Sequence, residues 1–254
     1  AVIWVGFSTI VRKEFSRIFR IWKQTLLPPV ITQTLYFLVF GTFIGSRISE
    51  IDGQPYVAFI VPGLIMMVVV QNAFANTVSS FFGSLFMRNI DEILISPMPL
   101  GVMLSGYVIG GVLRGVITAF LVFLVSLFFV HSGIEHVWAI VLFTLLTALI
   151  FSLLGFMNSL FAKTFDDVGI FTTFLIVPLT YLGGVFYTID HLPAFWRSVS
   201  LFNPIVYMVD GLRYGFFGVS STNPVISAAA LIVLCAVLFG VNMMLLKKGT
   251  GLRS

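Results

Sequence analysis

The chain has 254 residues, 59% of them hydrophobic and only 9% charged, with 28 Phe, one Cys and a net charge of +4. A water-soluble domain is about 25% charged, so this chain cannot cover its surface with solvated groups, and most of its solvent must be lipid. One cysteine excludes a disulfide framework and a cysteine zinc site, and the cations form no aromatic-interleaved cluster of the kind that binds nucleic acid.

The opening apolar stretch, Ala1 to Val5, is too short for the core of a secretory signal, so none is expected. Residues 6–23 pattern as an amphipathic helix. Phe7, Val11, Phe15, Ile18, Phe19 and Trp22 recur at three- and four-residue spacing, and Arg12, Lys13, Ser16, Arg17, Arg20 and Lys23 take the other side. A basic helix with aromatic residues opposite lies in the plane of the membrane interface; the plainer alternative is a polar leader that fixes topology.

Uncharged runs then supply six membrane helices, each needing roughly 20 apolar residues. They fall near 25–45, 58–82, 101–130, 138–161, 168–187 and 225–246. The runs are continuous rather than alternating, which favours helices over barrel strands. The first span carries Pro28 and Pro29 in its opening turn, where a missing N–H is tolerated. A short polar loop, 46–57, follows.

Between the second and third spans, 88–99 reads RNIDEILISPMP. Ile90, Ile93 and Leu94 share one helical face, Asp91 and Glu92 lie beside them, and Ser96-Pro97 ends the helix. This is either a short rigid helix that contacts a partner or a polar loop that satisfies topology. In the third span Gly106 and Gly110, and Gly111 and Gly115, stand four apart, a spacing that lets helices approach closely. Arg114 among them either snorkels to the headgroups or lines a pore or pairs between helices. Lys163, Asp166 and Asp167 form a tight turn before the fifth span; the carboxylates suit the positive end of a helix dipole or a second partner contact. Residues 188–218 are too interrupted to cross a bilayer and too apolar for a solvated loop, which predicts two short outer helices divided at Asn203-Pro204.

Ten Lys and Arg fall on the side of the two termini and the loops at 86–100 and 163–167, against Arg47, Arg197 and Arg213 on the other. Positive charge marks the cytoplasmic side, so both termini are expected there. Gln33, Thr34, Gln71, Asn72, Asn76, Asn158 and Tyr181 are the polar groups within or near spans; they either face a pathway or bond neighbouring helices.

Enzyme chemistry is absent from the pattern. There is no GxxxxGK[ST], HExxH or GxSxG. His131, His136 and His191 lie at the outer face, with no metal spacing. No catalytic or metal-ligating residue is expected, and no cofactor on this chain. Spans without acidic residues also argue against an ion-driven carrier, which places ionisable groups at midplane. That carrier or channel remains the alternative class, ahead of an intramembrane enzyme.

PLTYLGGVFYTIDHLPAFW (178–196), NPIVYMVDGLRYGFFG (203–218) and RNIDEILISPMP resemble segments of the ABC-2 type permeases, with VPGLIMM, AKTFDD and TYLGGVFY pointing to bacterial inner-membrane members; the likeness runs over about residues 7–250. The resemblance implies an all-α integral membrane protein, a single transmembrane domain over 1–254 with the ABC-2 exporter fold: six transmembrane helices, an N-terminal interfacial amphipathic helix (6–23), a cytoplasmic coupling helix (88–99) and short re-entrant outer helices (188–218). It implies a homodimer, or a pair with a paralogue, around a pathway lined by spans one, two and five. A separate ABC ATPase subunit, holding ATP and Mg, would seat on Arg88, Ile90, Asp91, Glu92, Ile93 and Leu94. Pro193, Trp196, Pro204, Tyr207 and Arg213 would belong to the outer lid. Membrane lipids are the remaining expected partner, and an amphipathic, lipid-linked or glycan-type compound the expected cargo.

Overall fold

The computed structural model describes residues 2–45, 47–48, 50–51, 53–130 and 133–252. His131 and Arg253 lie outside the described residues. The helices in chain order are α1 (Val2–Arg20), α2 (Trp22–Thr25), α3 (Leu27–Leu38), α4 (Tyr56–Phe86), α5 (Ile90–Ile95), α6 (Leu100–Ser126), α7 (Val137–Phe161), α8 (Phe165–Phe171), α9 (Val177–Tyr181), α10 (Ala194–Leu201), α11 (Pro204–Phe217) and α12 (Pro224–Lys247). Two strands, β1 (Glu50–Ile51) and β2 (Gln54–Pro55), pair as a hairpin with Ile51 opposite Gln54, where a plain polar loop was expected.

Among the described residues, four helices are long and apolar enough to cross a membrane: α4, α6, α7 and α12. The first and fifth expected spans take another form. Helix α3 passes into a π-helical segment, Val39–Ile44, and α8 reaches α9 through another, Thr172–Ile176. Pro178 explains the second. It has no N–H to donate and its ring crowds the preceding turn, so the ladder opens just before it.

Helix α4 is the axis. It is apolar on every side and buried along nearly its whole length, packed between α6 and α7, as a helix without a polar face must be. Phe81 stacks on Phe156 of α7 with ring centroids 3.9 Å apart, and Tyr107 of α6 meets the edge of Phe81 at 5.1 Å. Pro62 sits inside α4, and Gly63 beside it admits the chain at Val185: a Cβ at Gly63 would stand 2.9 Å from the Val185 Cα. By contrast α12 is mostly exposed and touches the bundle through Ser227, Ala228, Leu231, Leu238, Asn242 and Leu246.

The two outer helices differ. Helix α10 is exposed along most of its length. Helix α11 is not a surface piece. Asn203 caps it by accepting the Ile205 N–H at 3.0 Å, Pro204 takes its first position, and Ile205, Met208, Val209, Leu212 and Phe216 are buried in the bundle. Asn223 and Pro224 start α12 in the same way.

The glycine pairs of α6 face two ways. Gly111 and Gly115 admit α4 and α7: a Cβ at Gly115 would stand 3.2 Å from the Ala73 Cβ and 3.4 Å from the Ala148 Cβ. Gly106 and Gly110 admit α1. A Cβ at Gly106 would stand 2.7 Å from Ile10, and one at Gly110 would stand 2.6 Å from the Glu14 Cγ. Gly110→Ala is therefore expected to destabilise the fold by about 1–3 kcal/mol, as overpacking does. Gly240→Ala, where a Cβ meets nothing within 4 Å, should stabilise it by roughly 0.5–1 kcal/mol. Melting of the two variants in detergent checks the pair; equal behaviour would contradict the glycine track.

Candidate functional site

The residue that ties α1 to the bundle is Glu14. It is 0% exposed, on the stripe of α1 that also buries Ile10 and Ile18. Ser80 donates its hydroxyl to Oε1. The Asn76 amide donates to Oε2 at 3.3 Å, and Arg17 Nη2 lies 3.3 Å from the same oxygen. Lys13 Nζ stands 3.6 Å from Oε1. A carboxylate without water keeps its charge only when paired and hydrogen-bonded, and here three side chains and a lysine surround it.

The cations carry the network outward. Arg17 donates to the Asn76 carbonyl and side-chain oxygens, both at 2.9 Å, and to Ser79 at 3.2 Å. Lys13 donates to the Tyr107 hydroxyl at 3.2 Å, which donates to Ser84 at 3.0 Å. One connected set therefore joins α1, α4 and α6. Arg17 belongs to this buried side of α1 rather than to a solvated face, while Phe15, Phe19 and, in α2, Trp22 are exposed alongside Arg12, Ser16 and Arg20. Arg114 makes an inter-helix bond instead of only snorkelling: its Nη2 donates to the Thr25 carbonyl at 3.2 Å. That carbonyl ends α2, where a cation is favoured.

The segment at 88–99 is helical only over Ile90–Ile95, because Met87 to Asn89 form a turn and Pro97 and Pro99 cannot continue it. Ile90 is buried, Ile93 half-buried and Leu94 exposed, so the three do not bury as one stripe; Asp91 and Glu92 are exposed in the first turn. Glu92 and Ile93 line one wall of a groove of about 520 Å³ whose other wall is Val5, Thr9 and Ile10 of α1. Ile10 is one helical turn from Glu14. Arg88 sits at φ 57°, a left-handed conformation uncommon for a long side chain.

At the second turn, Asp167 caps α8. Its Oδ2 accepts the backbone N–H of Lys163 and of Thr164, each at 2.9 Å, and the Thr164 hydroxyl accepts the Asp167 N–H at 3.2 Å. These donors hold its carboxyl below the usual carboxylate range. Lys163 and Asp166 are exposed.

The polar span residues scatter. Asn76 is 1% exposed and engaged with Glu14 and Arg17, so it is a strut of the network. Asn72 is buried and donates to the Val68 carbonyl of its own helix. Thr34 bonds back to Val30. Gln71 is half-buried. Gln33 and Asn158 are buried, and the Gln33 Oε1 and the Asn158 Nδ2 have no hydrogen-bond partner among the described residues. Tyr181 is exposed and its hydroxyl lies 3.4 Å from that of Tyr36, which brings the first and fifth apolar segments together.

At the opposite end, Pro193 and Trp196 are exposed at α10, and the Tyr207 hydroxyl donates to the Leu201 carbonyl at 2.8 Å. Arg213 is 8% exposed, so its side chain is held inside the bundle by α11 rather than presented on the surface. Its Nη2 donates to the Gly184 carbonyl at 2.6 Å and its guanidinium lies 4.0 Å over the Phe59 ring. Asp210, one turn earlier, accepts the backbone N–H groups of Ser221 and Thr222. His136 stacks on Tyr214 at 4.5 Å, and His191 is exposed. Among the described residues no group of His, Cys, Asp and Glu could hold a metal ion.

The ABC-2 type transporter family matches residues 5–217 of the chain, a stretch that holds the Glu14 network, α5 and α11. The chain belongs to the ABC-2 type transporter family. It is 52% identical to the inner membrane transport permease YadH of Escherichia coli (strain K12), over 99% of this chain and 98% of that protein. It is 23% identical to nodulation protein J of Rhizobium leguminosarum bv. viciae, over 89% and 90%, and 21% identical to nodulation protein J of Sinorhizobium fredii (strain NBRC 101917 / NGR234), over 92% and 91%. With its apolar helices, the chain is a multi-pass membrane component of an ABC-type transporter.

In this permease Glu14 is the residue that sequence patterning passes over, because it sits inside a run of cations. Its signal was position: Ile10, Glu14 and Ile18 are spaced four apart, so the carboxylate shares the apolar stripe. Removing one partner of a buried ion pair costs about 3–5 kcal/mol, which is the expected loss of stability in Glu14→Ala. Glu14→Ala/Arg17→Ala should recover part of it. Thermal or denaturant unfolding in detergent measures both, and a wild-type midpoint in Glu14→Ala would contradict the network. For Asp167 the sign follows from its lowered folded value. Capping of α8 is complete at neutral pH and is lost as pH falls below about 4, through and under the ordinary Asp value. Protection factors at Val168–Phe171, corrected for the intrinsic pH dependence of exchange, should fall on acidification, and Asp167→Asn should abolish that fall.

Proposed function

We propose that this chain is the membrane-spanning permease subunit of an ABC exporter in a bacterial inner membrane. It spans six times, with the α3 and α8–α9 segments as the first and fifth crossings and both termini cytoplasmic. Two copies form the pathway, and a separate ATPase subunit carrying ATP and Mg drives alternating access. The cargo is amphipathic, lipid-linked or glycan-type.

The observation that carries this reading is the groove that α5 and the turn after it share with α1. A short helix with two exposed carboxylates shares a groove with α1, and α1 is fixed to α4 and α6 by the Glu14 network. The turn after α5 closes the groove, where Met98 packs on Gly6 of α1, so force applied at Asp91 and Glu92 has a contiguous route through α1 to the central helix, of the kind that transmits coupling. Family membership and the YadH likeness support the transport role, and the sequence offers no nucleotide-binding loop of its own.

The chain purified alone in detergent is expected to hydrolyse no ATP, and to support ATPase activity only once an ATPase subunit is added. Glu92→Arg should insert normally, yet lower transport by about tenfold, within the ~1–3 kcal/mol range of coupling energies. Hydrolysis by the isolated chain, or export unchanged in Glu92→Arg, would overturn the assignment.

A further inference from the structure

We propose that a hollow between the ends of α4 and α7 is a binding site for one anionic phospholipid, with its phosphate between Arg88 and Lys163. The hollow has a volume of about 760 Å³. Its wall combines two cations with the rings of Phe82, Phe86 and Phe161. No carboxylate lines it, and neither Arg88 nor Lys163 has a carboxylate within ion-pair distance among the described residues. This site stands apart from the transport reading, and it reassigns Arg88 from partner contact to lipid contact.

The nearby acids do not cancel the cations. Asp91 shares an adjoining cavity of about 140 Å³ with Arg88 but lies outside the hollow and beyond ion-pair distance. Asp167 follows Lys163 and feels its charge as the smallest of the effects on its carboxyl, but it lies outside the lining and its Oδ2 already accepts two backbone N–H groups. Asp166 is exposed outside the lining.

The apolar half of the wall decides the class of ligand. Phe86 is 62% exposed and Phe161 59% exposed, at the ends of two membrane helices. Phe165 packs 5.0 Å from both Phe82 and Phe86, which widens this surface. A free phosphate would use the cations and leave the rings bare. A phospholipid uses both, with its phosphate on the cations and its chains along the rings, where the bilayer begins. Basic residues at the membrane edge attract anionic headgroups. The backbone adds a separate sign: Arg88 is held in the left-handed region at φ 57°, and such uncommon conformations concentrate at ligand sites.

The test is native mass spectrometry of the full chain in detergent, with added phosphatidylglycerol, phosphatidylcholine or inorganic phosphate. Arg88→Asn removes the charge with a residue that tolerates the left-handed region, and Lys163→Gln removes the other. Wild type should retain phosphatidylglycerol over phosphatidylcholine. Either single variant should weaken that retention about 5-fold and the pair about 30-fold, from the contribution of each cation at an anionic surface. Lys247→Gln/Lys248→Gln, whose charges lie outside the lining, should retain it unchanged and so controls for net charge. Unfolding midpoints confirm that the variants are folded. Equal retention of the two lipids, a preference that survives in the double variant, a loss matched by the Lys247 and Lys248 control, or phosphate binding as tightly as phosphatidylglycerol would each overturn the proposal.

Discussion

A buried carboxylate sets the terms for this membrane protein. Glu14 is enclosed by Lys13, Arg17, Asn76 and Ser80, and leaving any of them unpaired in a dry site costs more than a surface contact would. Its niche also depends on what is absent: only a glycine at 110 leaves room for the Glu14 side chain against α6. Charge and shape thus specify the same docking of α1. An apolar α1 would float on the bundle in many registers, whereas this one has a single register in which its acid is satisfied.

The same docking explains how a thin peripheral element can matter to the buried central helix. Helix α5 has six residues and buries only Ile90. It acquires mechanical consequence from its neighbour, because the groove it shares with α1 ends one turn from Glu14. At the other end of the bundle, Arg213 and Asp210 hold the turns at 184–187 and 221–222 on α11. Each end is therefore clamped by buried charge, and the apolar middle is packed through close approach at Gly111, Gly115 and Gly155. Helices whose flanks are as oily as lipid gain little from hydrophobic exclusion, so close backbone approach and polar contacts must give the specificity.

Much of the architecture was legible because hydropathy alone demands it. The four long helices α4, α6, α7 and α12 follow from uncharged runs, and Asn203-Pro204 and Asn223-Pro224 announce two helix starts by capping chemistry. The glycine pairs of α6 were visible, but spacing could not say which helix each admits. The π-helical segments were not legible: a run of apolar residues looks the same whether its ladder steps by four or by five. The fate of polar residues was read least well. For Asn76 the pattern left a pathway role and a bond to a neighbouring helix both open, and Arg213 was placed in the outer lid by resemblance alone. Both are struts, since a buried polar group needs partners that only the tertiary fold supplies.

The order of synthesis gives the Glu14 niche a further meaning. Glu14, Asn76, Ser80, Tyr107 and Gly110 all lie in the first 110 residues of the chain. The acid must wait near the membrane surface while α4 is threaded, and the niche is complete as soon as α6 enters. Helices α7, α11 and α12 then pack onto a base whose buried acid is already paired and hydrogen-bonded. Biogenesis thus has an early checkpoint: a nascent chain stalled before α6 pairs Glu14 with α4 but lacks the Tyr107 hydroxyl and the Gly110 face that close the niche over Lys13 and Glu14.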